Sequence, residues 1–330
     1  MNIAKALKKR FLQSAYRKVL RSKILEDISF CFTGDFKDYL LSGDALAKID
    51  ALQEGLDSTS QLHINAFLKR MQNFPSQDYC GMVYGALDKI IESEGLGYNE
   101  TEISEYINRV VKKQFNVSQY PIETFYFDHG LKFLDKEILQ YMIGGDFLDC
   151  GAYIGDSALT LLKYQPKKIY SFEISQRFLG EYRNNMAQNR VATTQAEVFH
   201  NGTAQENKTI TFNDTNSAGN NISQPGTATV DLVTIDSFVQ KHSLTPSLLK
   251  MDVEGEEINT VQGAKDTIHK FRPIISAAIY HNPQQFFELK PLLESWGLNY
   301  TFIIRSLRPR VIPMEMTLLA YPTPASAAKS

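Results

Sequence analysis

The sequence lacks the marks of several protein classes. Its three cysteines, Cys31, Cys80 and Cys150, are widely spaced and form no Cys-x-x-Cys pair. This spacing argues against a disulfide scaffold or a zinc site and favours a reducing compartment. No apolar run approaches the ~20 residues of a membrane-spanning helix, and no signal peptide is evident. A net charge of -2 gives no reason to expect nucleic acid as a partner. We therefore expect a cytoplasmic protein.

The chain has ample apolar material for a large core. It is 330 residues long and 43% hydrophobic, with 20 Phe and 16 Tyr. One large domain or two smaller ones are expected at this length.

Residues 1–25 contain many lysines and arginines and no acidic residue. Apolar residues recur there at every fourth position, which predicts an amphipathic basic helix. Such a helix is typical of peripheral contact with an anionic membrane surface, here the inner face of the membrane. A docking helix with a solvated face is the alternative.

The pattern up to about residue 120 is helical. The segments "ALAKIDALQEG", "LHINAFLKRMQNF" and "YGALDKIIESEG" have apolar residues three and four apart, and Gly55 and Gly95 are plausible helix stops. The segment "QYPIETFYF" breaks the pattern, and its Pro121 and alternating aromatics predict a connection and a short strand. We place a domain boundary there, giving a helical domain at 1–120 and a second domain at 121–330.

From about residue 146 the pattern alternates between strand and helix. Strands are predicted at "DFLDC", "KKIYSFE", "AEVFHN", "SLLKMDVE", "RPIISAAIYH", "NYTFIIR" and "EMTLLAYP". An inserted hairpin is predicted at "KTITFND" and "ATVDLVTID", and one helix from Glu256 to about Phe271. This alternation predicts an α/β fold with a mostly parallel sheet, in which ligands bind at the carboxyl ends of the strands.

A glycine-containing turn, "DCGAYIGDS", follows the first strand and opens a helix. Gly151 and Gly155 let the backbone turn tightly and approach a ligand. Their spacing differs from that of the dinucleotide fingerprint and of the P-loop. About twenty residues further on, Glu173 ends the second strand, where an acid accepts hydrogen bonds from ribose hydroxyls. A glycine kept for packing and a helix-capping Glu173 are the structural alternatives.

Four segments resemble successive motifs of the FkbM-type S-adenosylmethionine-dependent methyltransferases: "FLDCGAYIGDSALTL", "IYSFEIS", "LLKMDVEGEEINTVQGAKDTI" and "RPIISAAIYH". The resemblance covers roughly Tyr126 to Tyr321. The resemblance implies a class I methyltransferase fold, a Rossmann-like seven-stranded sheet with an antiparallel last strand. It also implies methyl transfer, usually to a hydroxyl of a sugar or a natural product. The cofactor-binding residues that it implies are Asp149, Gly151, Ala152, Tyr153 and Gly155 for the methionine part, Glu173 and Ile174 at the ribose, and Asn201 and Gly202 at the adenine.

Methyl transfer to an alcohol needs a group that takes the hydroxyl proton. Asp252 lies near the end of its strand on the polar side, and His281 ends the neighbouring predicted strand, so either is a candidate base. Lys250 and Glu254 flank Asp252 on the same face and could tune it or bind substrate. Each residue also has a structural alternative. Glu254 could favour the start of the next helix, Lys250 and Asp252 could form an ion pair, and His281 could bond to the backbone.

Two further polar residues, Arg305 and Glu315, could shape a substrate pocket or pair with each other. No metal is expected, because only two acids share the strand and no third ligand is clear. Two other functions stay open: an NAD-dependent oxidoreductase and a non-catalytic, membrane-recruited binding module. The sequence predicts neither the acceptor nor the oligomeric state.

Overall fold

The structure, a computed structural model, describes residues 36, 39, 45–73, 99–215, 222, 226–308 and 315–323. The predicted basic helix of residues 1–25 and the predicted helix of residues 84–95 lie outside this part of the chain. Among the described residues, no helix combines the length and the apolarity needed to cross a lipid bilayer.

The described segments before residue 120 are helical, as the apolar spacing predicts, and two further short helices precede the sheet. They are α1 (Ala45–Gln53), α2 (Ser58–Asn73), α3 (Glu100–Tyr106), α4 (Ile122–Phe125) and α5 (Lys136–Gln140). α3 continues through a π-helical turn at Ile107–Val111 into a last turn at Lys112–Gln114. α1 ends before Gly55, whose φ of 69° is the left-handed conformation typical of a residue that follows a helix.

The short strand predicted around residue 122 is wrong, because the chain forms the single helical turn α4 there. Pro121 precedes the turn with φ -56°, and its carbonyl accepts a hydrogen bond from Phe125 N. Proline fixes this φ, which suits the start of a helix. Phe125 and Phe127 are both buried, so burial at alternate positions imitates the period of a strand.

The strands and helices then alternate along the chain. The strands are β1 (Asp146–Cys150), β2 (Lys168–Phe172), β3 (Ala196–Phe199), β4 (Asn201–Thr203), β5 (Lys208–Phe212), β6 (Ala228–Val233), β7 (Pro246–Met251), β8 (Ile274–Ala278), β9 (Tyr300–Ser306) and β10 (Met316–Pro322). The helices are α6 (Asp156–Leu161), α7 (Gln176–Gln188), α8 (Ile235–His242), α9 (Glu257–Gln262), α10 (Lys265–Phe271) and α11 (Pro283–Ser295).

Seven strands form the main sheet, in the order β3-β2-β1-β7-β8-β10-β9. Neighbours from β3 to β8 pair in parallel, whereas β10 is antiparallel to both β8 and β9. The predicted class I methyltransferase sheet, with its antiparallel last strand, is thereby confirmed. The strand order reverses direction at β1, so the carboxyl ends of β1 and β7 border the switch point where such sheets bind ligands.

A small second sheet, in the order β4-β6-β5, stands beside the main one. The predicted hairpin is present as the antiparallel pair of β5 and β6. The strand predicted across residues 196–201 is divided, because β3 belongs to the main sheet whereas β4 pairs with β6.

The single helix predicted from Glu256 to Phe271 is two helices, α9 and α10, separated at Gly263. A Cβ at Gly263 would lie 2.0 Å from Ala204 O. The absence of a side chain at Gly263 therefore allows its backbone to contact the backbone of Ala204.

The core lies on both faces of the main sheet. Neighbouring residues of a strand point to opposite faces, so Phe147 and Leu148 of β1 belong to two different apolar clusters. Helices α1, α2, α8 and α11 contribute to one cluster, and α3, α6 and α7 to the other. Every residue of β1 and β7 is buried, as expected of central parallel strands.

Helix α2 covers the exposed edge of β9. Ser60 Oγ accepts a hydrogen bond from Ile304 N at 2.9 Å, and His63 Nδ1 accepts one from Ser306 N at 3.2 Å. These side chains satisfy backbone donors that an edge strand otherwise leaves open. The described N-terminal helices thus share a core with the sheet, and the domain boundary near residue 120 stays a prediction.

Candidate active site

A cavity of about 280 Å³ opens at the carboxyl ends of β1, β2 and β7. Its described lining includes Gly151, Tyr153, Glu173, Lys250 and Asp252, five of the residues that the sequence singles out. The cavity lies at the switch point of the sheet, so the topology and the sequence motifs indicate the same place.

The glycine turn after β1 is tied to β2 and β7. Gly151 N and Ala152 N both donate to Phe172 O, at 3.1 and 2.9 Å. Gly151 has φ 78°, and a Cβ there would lie 1.8 Å from Asp252 O. Only glycine allows this turn to pass so close to the neighbouring strand end.

Gly155 has φ 85° and precedes α6, where a Cβ would lie 2.7 Å from the ring of Tyr182. Gly155 and the fully buried Ala152 therefore support the turn from behind. Gly151 and Tyr153 line the cavity itself.

Glu173 stands at the end of β2 with both carboxylate oxygens engaged. It accepts hydrogen bonds from Tyr153 N and Ser175 N, each at 2.8 Å. Burial raises the pKa of Glu173 to about 7, although these backbone donors favour the charged form. The capping interpretation and the ligand interpretation hold together, because each oxygen keeps a second lone pair and the side chain lines the cavity.

Asp149 lies beneath the turn and outside the cavity wall. It is fully buried, accepts a hydrogen bond from Ser171 Oγ at 3.0 Å, and stands 3.1 Å from Lys250 Nζ. Lys250 also donates to Gly151 O at 2.7 Å. Burial lowers the pKa of Lys250, but Asp149 and nearby acids outweigh this and raise it above its usual range. Asp149 therefore positions the turn through Lys250.

One side of the cavity is formed by Asn201 and Gly202 of the small sheet and by Ile174, which follows β2. Asn201 Nδ2 donates to Asp231 O at 3.1 Å, which fixes its amide across β4 and β6. A Cβ on Gly202 would lie 2.5 Å from Leu232 and 3.1 Å from Ile174. The sequence predicts a strand that ends at Asn201 and places Gly202 after it, whereas the structure holds both residues in β4.

Asp252, Glu254 and His281 meet at the ends of β7 and β8. His281 Nε2 lies 3.5 Å from Asp252 Oδ1 and 3.4 Å from Glu254 Oε2, and its Nδ1 lies 3.1 Å from Glu257 Oε1. Burial alone lowers the pKa of His281, but the surrounding carboxylates outweigh it and raise the pKa to about 10. Asp252 and Glu254 line the cavity, and the buried His281 stands behind them.

The two C-terminal candidates are far apart in role. Glu315 is buried, lines the cavity, and accepts a hydrogen bond from Tyr280 OH at 3.3 Å. Arg305 contacts the N-terminal helices instead, because its guanidinium lies 3.1 Å from Asp57 Oδ2 and donates to Ser60 Oγ at 2.7 Å. The alternative in which Arg305 pairs with Glu315 is therefore not seen, because Arg305 binds Asp57 and Ser60 whereas Glu315 faces the cavity. Arg308, three positions later, lines the cavity and donates to Glu123 at 2.8 Å.

Sequence reasoning missed a polar wall built from the segment before β1. His129 is buried in a left-handed conformation, with φ 53°, and its Nε2 lies 2.9 Å from Ser157 Oγ. Next to it, Thr124 donates to Asp156 at 3.0 Å, and burial raises the pKa of Asp156 to about 6. The signal for this wall was the Asp-His-Gly run at 128–130, where three left-handed residues in sequence force a tight turn.

Residues 149–310 match the family model described as Methyltransferase FkbM domain. The chain carries a methyltransferase FkbM domain. The match confirms the resemblance read from the sequence motifs, and it spans the residues from the glycine turn to Arg308 that border the cavity. The remainder of the chain, including the helices that cover β9, lies outside the matched residues.

Solved structures resemble this chain in fold. Methyltransferase FkbM from Methylobacillus flagellatus KT has a TM-score of 0.58 and 19% identity, over 87% of this chain and 60% of that one. The present chain thus spans less than two thirds of that relative.

More distant structures include an O-methyltransferase from Bacillus cereus in complex with SAH, with a TM-score of 0.39 and 11% identity over 73% of this chain and 98% of that one. An rRNA methylase from Streptococcus thermophilus has a TM-score of 0.36 and 14% identity, over 63% and 100% of the two chains. No match was found among the curated proteins that were compared.

Proposed function

We propose that this chain transfers a methyl group from S-adenosylmethionine to a hydroxyl of a sugar or a related natural product. The observation that carries the proposal is one continuous cavity, with the glycine turn and Glu173 on one side and Asp252 on the other. A cofactor site and a proton-accepting group thereby share the carboxyl rim of a methyltransferase fold.

The residues around the cavity fit this cofactor. S-adenosylmethionine supplies a methyl group on a positively charged sulfonium. Seven carboxyl side chains line the cavity against two permanently cationic side chains, Lys250 and Arg308, within the described part of the chain. An excess of acids favours a cationic ligand. Gly151 and Tyr153 would hold its amino-acid part, Glu173 its ribose hydroxyls, and Ile174, Asn201 and Gly202 its adenine.

Asp252 is the best-placed group to accept the hydroxyl proton. It lines the cavity, and its side chain is 28% exposed, so an acceptor can reach it. His281 is only 2% exposed and, with its pKa raised to about 10, holds a proton at neutral pH. A base must be unprotonated and within reach of the proton it takes. We therefore assign proton acceptance to Asp252 and not to His281.

The polar lining suits an acceptor with several hydroxyl groups. Glu254 and Glu315 offer carboxyl oxygens, and Gln119 offers a side-chain amide, all on the cavity wall. Carboxylates accept and amides both donate and accept hydrogen bonds, which is the pattern that a polyhydroxylated acceptor needs. The family match favours methyl transfer over the oxidoreductase alternative, and the membrane contact of the binding-module alternative depends on residues 1–25, which lie outside the described part of the chain.

Calorimetry with S-adenosylmethionine and S-adenosylhomocysteine tests the cofactor. Absence of binding at about 1 mM ligand, which corresponds to only about -4 kcal/mol, overturns the proposal. Transfer of a labelled methyl group to a panel of sugars, sugar nucleotides and glycans tests the acceptor class. Label recovered on nitrogen, or on no member of the panel, contradicts a sugar hydroxyl as the acceptor.

The Asp252→Asn variant tests the base. We expect it to bind the cofactor normally and to lose about 10²–10⁴-fold in turnover, the usual contribution of a general base. Asp50→Asn, at an exposed position on α1, removes a carboxylate of the same size far from the cavity and should keep full turnover. A near-normal rate for Asp252→Asn rules out the assignment.

A further inference from the structure

The group formed by Asp252, Glu254 and His281 has the composition of a metal site. The sequence offered only two acids on one strand, and the fold supplies the third donor from the end of β8. One donor atom from each residue lies within 4.8 Å of the other two. An imidazole nitrogen from the segment after β8 and two carboxylate oxygens from the segment after β7 thus lie close together beside the cavity.

The distances in this group suit ligands of one cation better than hydrogen-bond partners. His281 Nε2 is 3.5 Å from Asp252 Oδ1 and 3.4 Å from Glu254 Oε2, both longer than an ordinary hydrogen bond. Two ligands about 2.1 Å from a cation are about 3.0–3.4 Å apart in octahedral or tetrahedral geometry. In the described part of the chain, no hydrogen-bond donor reaches the buried Oδ1 of Asp252.

Glu257 supports the group as an outer carboxylate. Its Oε1 lies 3.1 Å from His281 Nδ1, which leaves Nε2 directed at Asp252 and Glu254. The fully buried Glu257 also accepts hydrogen bonds from Val253 N at 2.9 Å and Gly255 N at 3.2 Å. A carboxylate on the second nitrogen of a histidine is the usual support of a metal-binding imidazole.

The backbone of Glu254 is held in an uncommon conformation. Its φ is 52°, and Gly255 follows with φ 113°. A left-handed non-glycine residue costs about 1–3 kcal/mol and persists where the surroundings impose it, often at ligand sites. Glu257 imposes it here, because it bonds the amides on both sides of Glu254.

The charges in the group also call for a cation. Three carboxyl groups, those of Asp252, Glu254 and Glu257, surround one imidazole. A proton on the imidazole supplies one positive charge against three acids, in a setting where buried charge is costly. A divalent ion bound to a neutral imidazole supplies two.

We infer that Asp252, Glu254 and His281 form a binding site for a divalent first-row transition cation, with Glu257 as its outer support. The imidazole donor favours Zn²⁺ over Mg²⁺ and Ca²⁺, which prefer oxygen ligands alone, and the two carboxylates also suit Mn²⁺. Three protein ligands leave coordination positions open toward the cavity. The inference does not depend on the proposed cofactor or acceptor, because the site is complete in the protein alone.

A cation here would change how the acceptor is held. A hydroxyl group whose oxygen binds a divalent cation becomes more acidic, so the acceptor would need a weaker base to lose its proton. Acceptors that present two neighbouring oxygens would fit the open positions best. The side chains would then bind the acceptor through the cation and not directly.

The test measures cation binding by the full-length protein after treatment with a chelator, with neither cofactor nor acceptor present. Mn²⁺ is followed by the loss of its free electron paramagnetic resonance signal, and Zn²⁺ by calorimetry. We expect one equivalent of either ion to bind. Asp252→Asn, Glu254→Gln and His281→Gln should each weaken binding at least about tenfold, and Glu257→Gln about 10–100-fold.

Glu256→Gln is the matched control, because this acid lies in the same loop but its Oε2 accepts a hydrogen bond from Asn259 at 2.6 Å. Its affinity should equal that of the unmodified protein. Circular dichroism checks that each variant is folded, and the partly exposed Asp252 and Glu254 remain informative if His281→Gln fails to fold.

The inference is overturned if neither ion binds, or if the three ligand variants bind as tightly as Glu256→Gln. Its failure is distinct from failure of the proposed function. Cofactor binding without cation binding removes only the inference, whereas cation binding without cofactor binding removes only the proposed function.

Discussion

Lys250 Nζ lies 3.1 Å from Asp149 Oδ1, and both side chains are buried at paired positions of the adjacent strands β7 and β1. The same ammonium group donates to Gly151 O at 2.7 Å. One buried cation therefore fixes the end of β1 and the turn that follows it. Its role is to position the glycine turn.

Replacing Lys250 by methionine should lower the free energy of unfolding of the protein. The variant leaves the Asp149 carboxylate buried without its cation, and breaking a buried pair typically costs about 3–5 kcal/mol. Urea unfolding followed by circular dichroism measures the loss. The double variant Lys250→Met/Asp149→Asn removes both charges and should recover part of it; equal stability of Lys250→Met and the unmodified protein contradicts the interpretation.

Gly151→Ala should be destabilising and should weaken cofactor binding. The added Cβ would lie 1.8 Å from Asp252 O, and φ is 78°, so the turn must move. Thermal unfolding and calorimetry with S-adenosylhomocysteine measure the two effects. Gly180→Ala in α7 is the control, because nothing lies within 4 Å of its added Cβ, and a helix gains up to about 1 kcal/mol from this change. Similar losses in both variants would point to a general effect of alanine.

Binding of S-adenosylmethionine should weaken as the pH falls through about 7. Burial raises the pKa of Glu173 to about 7, and the ribose hydroxyls would donate to its charged form. Below that pH a proton must leave before the ligand binds, so affinity falls by up to about tenfold per pH unit. Calorimetry between about pH 5 and pH 9 records this slope. In the Glu173→Gln variant, the part of the pH dependence that comes from Glu173 should disappear. An unchanged slope in this variant would assign the proton to another group.

Arg305→Ala should lower stability without changing cofactor affinity. Arg305 joins β9 to the start of α2 through Asp57 and Ser60, and hydrogen bonds to charged groups are typically worth about 1.5–3 kcal/mol. Denaturant unfolding and calorimetry separate the two properties. Weaker cofactor binding with unchanged stability would return Arg305 to the list of ligand-binding candidates.

The parts of the fold set by local pattern could be predicted from the sequence. The apolar residues of β1 and β7, the glycines of the turn and the acid at Glu173 are each visible within a few neighbouring residues. The sequence does not show the split of the predicted helix at Gly263, where the chain passes close to the backbone of Ala204, about sixty positions away. The helical turn after Pro121 is predicted as a strand for a different reason. Buried aromatic residues at alternate positions fit a strand as well as they fit this turn.

The candidate site shows the same limit. Asp252 and His281 were recognisable because each ends a strand, whereas Glu257 looked like an ordinary residue in the first turn of a helix. Its importance depends on the 3.1 Å contact with His281, which only the packing of β7 beside β8 produces. Arg305 and Arg308 are equally basic in the sequence, and their different surroundings follow from the direction of β9 at the sheet edge.

The contact between Gly151 and Asp252 has one more consequence. The backbone of the turn touches the carbonyl of Asp252, and Asp252 N donates to Cys150 O at 3.0 Å. The glycine turn on one side of the cavity is packed directly against Asp252 on the other, so a ligand that displaces the turn also displaces Asp252. The affinities of the two halves are then thermodynamically linked, and such linkage is reciprocal. Whatever factor the cofactor applies to the affinity for an acceptor or a cation, that partner applies to the affinity for the cofactor.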